Sequence, residues 1–275
     1  MNKCGVSLAL AMINNIECPQ QVAMLHAGMT AEDVCQLFKD STGAHILLRC
    51  IHALLPHDSR FIFSAAADDL LDIGRHNRGC GILQKALELA MDDTALQLMV
   101  ANRVAAIGQS LAWDAFGNYI VQHVLKLREP GAKPAQLALF ETLRGQMMKL
   151  ATHKFGSNVA EQIVRSGPEG LAVMLEEITA PAALESLVTH PFGNYVVQRV
   201  ISRSNTEQLE ILGQRINEFA AASDKAPVMA PAGRGKNGGK GRGGNQGQAE
   251  PFRRSVYGRK IIEKLCHRQS ELYGS

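Results

Sequence analysis

One short pattern returns along the chain at a nearly constant interval, and it limits the fold more than any other feature. Gly5, Gly43, Gly79, Gly117, Gly156, Gly193 and Gly258 each open a segment of glycine, two variable residues, an apolar pair and a further variable residue. Gly117-Asn118-Tyr119-Ile120-Val121-Gln122 and Gly193-Asn194-Tyr195-Val196-Val197-Gln198 are its clearest forms. The glycines lie 38, 36, 38, 39, 37 and 65 residues apart. A period in this range marks an array of similar units, none of which can close a core alone and all of which close it by stacking. The 65-residue interval is one period plus about 28 extra residues.

Between the glycines the chain reads as helix. Val196, Val197, Val200 and Ile201 recur at i, i+1, i+4 and i+5, a helical stripe, and nothing alternates as a half-buried strand would. Thr30-Ala31-Glu32-Asp33 resembles a capping box, with Val34, Leu37 and Phe38 as the apolar face behind it. Pro19, Pro134, Pro168 and Pro181 each fit a first helical turn, where the missing N–H is not needed. The expectation is an all-α chain of about three helices per repeat, stacked as an α-solenoid over residues 1–275.

The extra residues fall in 223–254, which hold eight Gly and almost no apolar side chain. Such a segment cannot offset its ordering entropy by burial, so it is expected to be a disordered insertion looping out of the last repeat. It carries seven Lys and Arg against two Asp and Glu, whereas the net charge of the whole chain is +3. The solenoid itself is therefore near neutral. The insertion reads either as a flexible linker or as a sequence-blind contact to phosphate.

On each motif helix the apolar stripe faces the core. The two residues after the glycine and the one four positions beyond the first of them share another face. At Gly117 these are Asn118, Tyr119 and Gln122, and at Gly193 they are Asn194, Tyr195 and Gln198. Two amides one turn apart offer donors and acceptors, and a tyrosine ring beside them offers a flat plate. Edge hydrogen bonds plus a stacking face are what reading a splayed-out base requires. At Gly156 the set is Ser157, Asn158 and Glu161. An ionised Glu only accepts, which suits a base edge that donates twice, as guanine does.

FGNYIVQHVL, FGSNVAEQIV, FGNYVVQRVI and RGCGILQKALE resemble the RNA-reading helices of Pumilio (PUF) family repeats, and YGRKIIEKLCH resembles the family's C-terminal cap. The resemblance covers nearly all of the chain outside the Gly-rich insertion. It implies a right-handed superhelix of three-helix repeats, about six here plus a cap. The family commonly has eight, so either the protein is short or N-terminal repeats are missing from this sequence. The resemblance also implies a code. In it, Asn194 with Gln198 reads U, Ser157 with Glu161 reads G, Asn118 with Gln122 reads U, and Cys80 with Gln84 reads A. RNA runs antiparallel to the protein in this family, so the four spell 5′-UGUA. Gly81 stands where the family usually has a stacking Arg. His45 can stack, but Ala44 and Leu48 cannot bond a base edge, so that repeat is expected to be permissive. Arg259, Lys260 and Glu263 do not fit the code and read as cap.

The resemblance further implies a cytoplasmic monomer that binds mRNA, in 3′ untranslated regions, and recruits deadenylation or translation-repression machinery. A ribosome-biogenesis member of the family and a HEAT- or armadillo-like protein scaffold are the alternatives. No catalysis, cofactor or metal is expected. The nine His form no H-x-x-x-H helix, the six Cys form no C-x-x-C pair, and neither a nucleophile elbow nor a P-loop is present. The absence of a long apolar run argues against a membrane span, and MNKCGVSLALAMINN has no small-residue cleavage site of a secretory leader.

Overall fold

The computed structural model describes residues 3–225 and 251–273. Its regular structure there is helical, without strands. It divides into two compact units, Met1–Glu177 and Ile178–Ser275.

In the first unit the helix Lys3–Asn14, which carries Gly5, precedes a series of repeats. One repeat comprises Pro19–Gly28, Ala31–Lys39 and Gly43–Ala53, and the next comprises Pro56–Asp68, Leu70–Arg75 and Gly79–Leu89. Then come Thr94–Ala112 with Gly117–Lys126, and Lys133–Leu143 with Met147–Thr152 and Gly156–Ser166. The third of these repeats departs from three helices: its first two are one continuous 19-residue helix. Asp93 starts that helix by accepting from Leu96 N at 3.1 Å, and no proline interrupts it before Ala112. The capping box at Thr30 is present, with Thr30 Oγ1 accepting from Asp33 N and Asp33 accepting from Thr30 N. Pro19, Pro134, Pro168 and Pro181 all lie at the first or second position of a helix.

Each motif helix after the first packs on the element just before it. In the first unit the motif helices also pack on one another in a row: Lys3–Asn14, Gly43–Ala53, Gly79–Leu89, Gly117–Lys126, Gly156–Ser166. In the second unit Gly193–Arg203 packs on Pro181–Thr189 and on Val256–Tyr273. The stripe Val196, Val197, Val200 and Ile201 is fully buried. Each such side chain contributes about 1.5–3 kcal/mol relative to exposure.

The packing also explains why glycine recurs. A Cβ on Gly117 would lie 2.9 Å from Leu111 O and 3.1 Å from its Cα, and one on Gly193 would lie 3.0 Å from Leu187 O. The chain returns so sharply from the preceding helix that its backbone, six residues back, occupies the space of a side chain. Ties one repeat long join the units of the first array: Arg75 donates to Ser110 O at 2.8 Å, Arg103 to Ala67 O at 3.1 Å, and Glu177 accepts from Gly145 N and Met147 N.

The expected insertion 223–254 is narrower at both ends than the sequence suggested. Ser223, Asp224 and Lys225 complete the helix Thr206–Lys225, and Phe252–Arg254 form a 3-10 turn. Phe252 is buried with its ring 5.1 Å from that of Phe219, Ser223 Oγ accepts from Phe252 N, and Arg253 pairs with Asp224 at 3.2 Å. The remainder, 226–250, lies outside the described residues.

Candidate nucleic-acid interface

The sequence places Asn118, Tyr119 and Gln122 on one face, but the structure distributes them by depth. Tyr119 is 50% exposed and Tyr195 is 47% exposed, so both rings are surface plates rather than core. Gln122 and Gln198 are half-buried. Asn118 and Asn194 are only 1% and 0% exposed. The expectation that Asn and Gln display their amides side by side is therefore corrected. Asn194 Nδ2 donates to His190 O at 2.8 Å and Pro191 O at 2.9 Å, and its Oδ1 accepts from Gln198 Nε2 at 3.0 Å. Asn118 does the same with Asp114 O, Ala115 O and Gln122 Nε2, at 2.8, 3.0 and 2.9 Å. A buried amide must find partners, and the helix entrance supplies them. The asparagine thus backs the glutamine, whose Nε2 is engaged inward.

The other two triplets are built differently. Ser157 is buried, its Oγ 3.4 Å from Lys154 O, while Asn158 is exposed. Glu161 is half-buried, and Arg165 Nη2 lies 3.6 Å from its Oε2, one turn further along the helix. Cys80 is 4% exposed, and Gln84 Nε2 donates to its carbonyl at 3.3 Å and approaches its Sγ at 3.5 Å. Burial pushes the Cys80 thiol above its ordinary pKa, which keeps it neutral. Gly81 is exposed, with open space where a side chain would be, so no plate stands there. His45 is exposed and Ala44 is buried, which leaves a ring without edge chemistry beside it.

The sequence reading missed the residue three before five of the seven glycines. Asp40, His76, Asp114, His153 and His190 each turn one side-chain acceptor onto two backbone N–H groups at the start of the motif helix. Recurrence of Asp or His at the glycine period was the available signal.

The fold and site define a helical repeat protein in which the motif helices opening at Gly79, Gly117, Gly156 and Gly193 each present one half-buried polar group, Gln84, Gln122, Glu161 and Gln198, with an exposed tyrosine ring beside it on two of them. A model described as a Pumilio-family RNA binding repeat matches residues 70–100, and one described as a NOP9-like PUF repeat domain matches 147–226. Pumilio homology domain family member 4 of Saccharomyces cerevisiae is 31% identical over 196 residues, 70% of this chain and 22% of its own length. Pumilio homolog 11 of Arabidopsis thaliana is 29% identical over 204 residues, 74% of this chain and 35% of its own. The chain thus spans about a third or less of these relatives. Among solved structures, the Puf4 RNA binding domain bound to the HO endonuclease RNA 3′ UTR recognition sequence matches with a TM-score of 0.70 and 25% identity, over 96% of this chain and 74% of that one. The RNA-binding domain of yeast Puf5p bound to SMX2 RNA matches with a TM-score of 0.75 and 21% identity, over 98% and 74%. The chain belongs to the Pumilio family of RNA-binding repeat proteins.

Proposed function

We propose that the chain binds single-stranded RNA and reads a 5′-UGUA core in mRNA, in 3′ untranslated regions, to regulate transcript stability or translation. The observation that carries the reading is three successive packed motif helices of the first unit, Gly79–Leu89, Gly117–Lys126 and Gly156–Ser166, each bringing one half-buried polar group to the surface: Gln84, Gln122 and Glu161. Gln198 is its counterpart in the second unit. Exposed side chains at the neighbouring position, Tyr119, Tyr195, Asn158 and His45, supply the faces on which unstacked bases rest. Cys80, Ser157, Asn118 and Asn194 stand behind the edge groups and set the shape each base meets. Glu161 accepts from a guanine edge, and the glutamines bond U at the first and third positions and A at the fourth. The RNA-bound relatives with the same fold support this reading. No catalytic step is part of it, and the partners downstream are the deadenylation or translation-repression machinery.

Competition binding of UGUA-containing oligomers against ACAU-containing ones tests it. At least tenfold preference for UGUA is expected, and equal binding or none refutes it. The NOP9-like match over 147–226 favours a second reading, an RNA-binding protein of ribosome biogenesis. Crosslinking in cells separates the two by whether mRNA 3′ ends or ribosomal RNA precursors are recovered.

A further inference from the structure

We propose that His190 and Asp114 are positioning residues for base discrimination, each the root of a hydrogen-bond relay that ends on the glutamine facing the RNA. The inference rests on the RNA reading above and deepens it. In the Gly193 helix, His190 Nδ1 accepts from Phe192 N and Gly193 N, both at 3.2 Å. The carbonyl of the same residue accepts from Asn194 Nδ2, and Asn194 Oδ1 accepts from Gln198 Nε2. In the Gly117 helix, Asp114 Oδ1 accepts from Phe116 N and Gly117 N, both at 2.8 Å. Its carbonyl accepts from Asn118 Nδ2, and Asn118 Oδ1 accepts from Gln122 Nε2. Two different side chains, an imidazole and a carboxylate, produce the same relay in the same register. What they share is one acceptor aimed at two helix-entrance N–H groups.

The turn alone does not make a relay. Asp40, His76 and His153 hold their helix entrances in the same way, but Ala44, Cys80 and Ser157 follow them and carry no side-chain amide. Among the described residues the relay exists only where the resemblance assigns U. Its effect is preorganisation. A free glutamine side chain loses rotamer entropy when ordered, and a glutamine already bracketed has lost much of it before RNA arrives. Its Nε2 is committed inward, so the amide has one preferred way to face a base. Stacking on Tyr195 or Tyr119 needs none of this. Breaking the root should therefore reduce selectivity between bases more than it reduces total affinity.

The test separates the acceptor from the ring. His190→Asp keeps an acceptor, as Asp114 does naturally. His190→Phe keeps a ring against Phe192, whose centroid lies 5.8 Å from that of His190, but removes the acceptor. Binding of UGUA and CGUA oligomers to the full chain gives a U/C ratio for the first base. Asp114→Ala and Asp114→Asn, read on UGUA against UGCA, repeat the experiment in the other helix. The expected result is an unchanged ratio for His190→Asp and Asp114→Asn. For His190→Phe and Asp114→Ala the ratio falls about five- to tenfold, while affinity for UGUA falls less than threefold. Side-chain amide protons of Gln198 and Gln122 in the free protein should lose their protection from exchange in the same two variants. A full ratio in both acceptor-less variants overturns the proposal, as does an equal loss in the acceptor-bearing ones. An unmodified chain that binds UGUA and CGUA alike overturns the base reading and the relay with it.

Discussion

The helices Gly43–Ala53 and Gly117–Lys126 share every device that makes the fold and almost none that makes the site. Each is entered through an aspartate accepting from two backbone N–H groups, and each opens on a glycine pressed against the leucine six residues earlier. Each buries an apolar pair directly behind the variable positions, Ile46 with Leu47 and Ile120 with Val121. Yet one offers Ala44, His45 and Leu48 where the other offers Asn118, Tyr119 and Gln122. Folding and reading are therefore carried largely by separate residues of one helix, the entry aspartate serving both only where an asparagine follows it. Three positions can change the chemistry without touching the glycine, the turn or the stripe.

The sharpest way to break this separation is to strip the plates. Tyr119→Ala with Tyr195→Ala should lower RNA affinity by about 1–3 kcal/mol per ring. Helicity by circular dichroism should stay intact, because both rings are half exposed. Loss of helicity would mean that the rings belong to the folding set. Next, Glu161→Gln should abolish preference for G at the second base. It replaces a group that only accepts with one that also donates, a mismatch worth about 1–3 kcal/mol, and competition with UAUA oligomers reads it. In the opposite direction, Ala44→Asn with Leu48→Gln should give the Gly43 helix a U preference of a few-fold at the base after UGUA. An unchanged profile would show that the relay needs more than its three residues.

Gly117→Ala probes the folding set alone. It should lower stability by about 1–3 kcal/mol through overpacking against Leu111 while leaving the order of base preferences unchanged, as thermal melts and competition together would show. The last effect expected is on pH. Burial pushes the Cys35 and Cys50 thiols up to about 11, while in the unfolded chain they ionise near the ordinary 9.0. The stability they contribute is thus intact below about pH 9 and declines as the pH rises toward 11. Melting curves between pH 8 and 10.5 should show that fall, and Cys50→Ala should lessen it.

Much of this was legible in advance. The glycine period, the i, i+1, i+4, i+5 stripe and the prolines at helix starts placed the helices, because each is a local consequence of backbone sterics and burial. Tyr119 and Tyr195 were legible as exposed plates because full stripes on other faces already accounted for the core. The fused helix Thr94–Ala112 was not, since repeats led the eye to a break where no residue demands one. The roles of Asn118 and Asn194 were not legible either: helical spacing says which residues are neighbours, not which of two neighbouring amides turns inward. Asp114 and His190 were missed because they look unlike each other and share only an acceptor. Phe252 was lost inside a Gly-rich run.

The sequence by itself determined that helical units repeat, where each begins, and which residue types stand beside one another on each motif helix, because periodicity and chain sterics act over a few residues. Only the tertiary structure decided which of those residues reach solvent, which are held from behind, and which turn holds them. Those outcomes depend on where the preceding helix lays its backbone and its carbonyl groups, and a linear pattern of residues does not specify that.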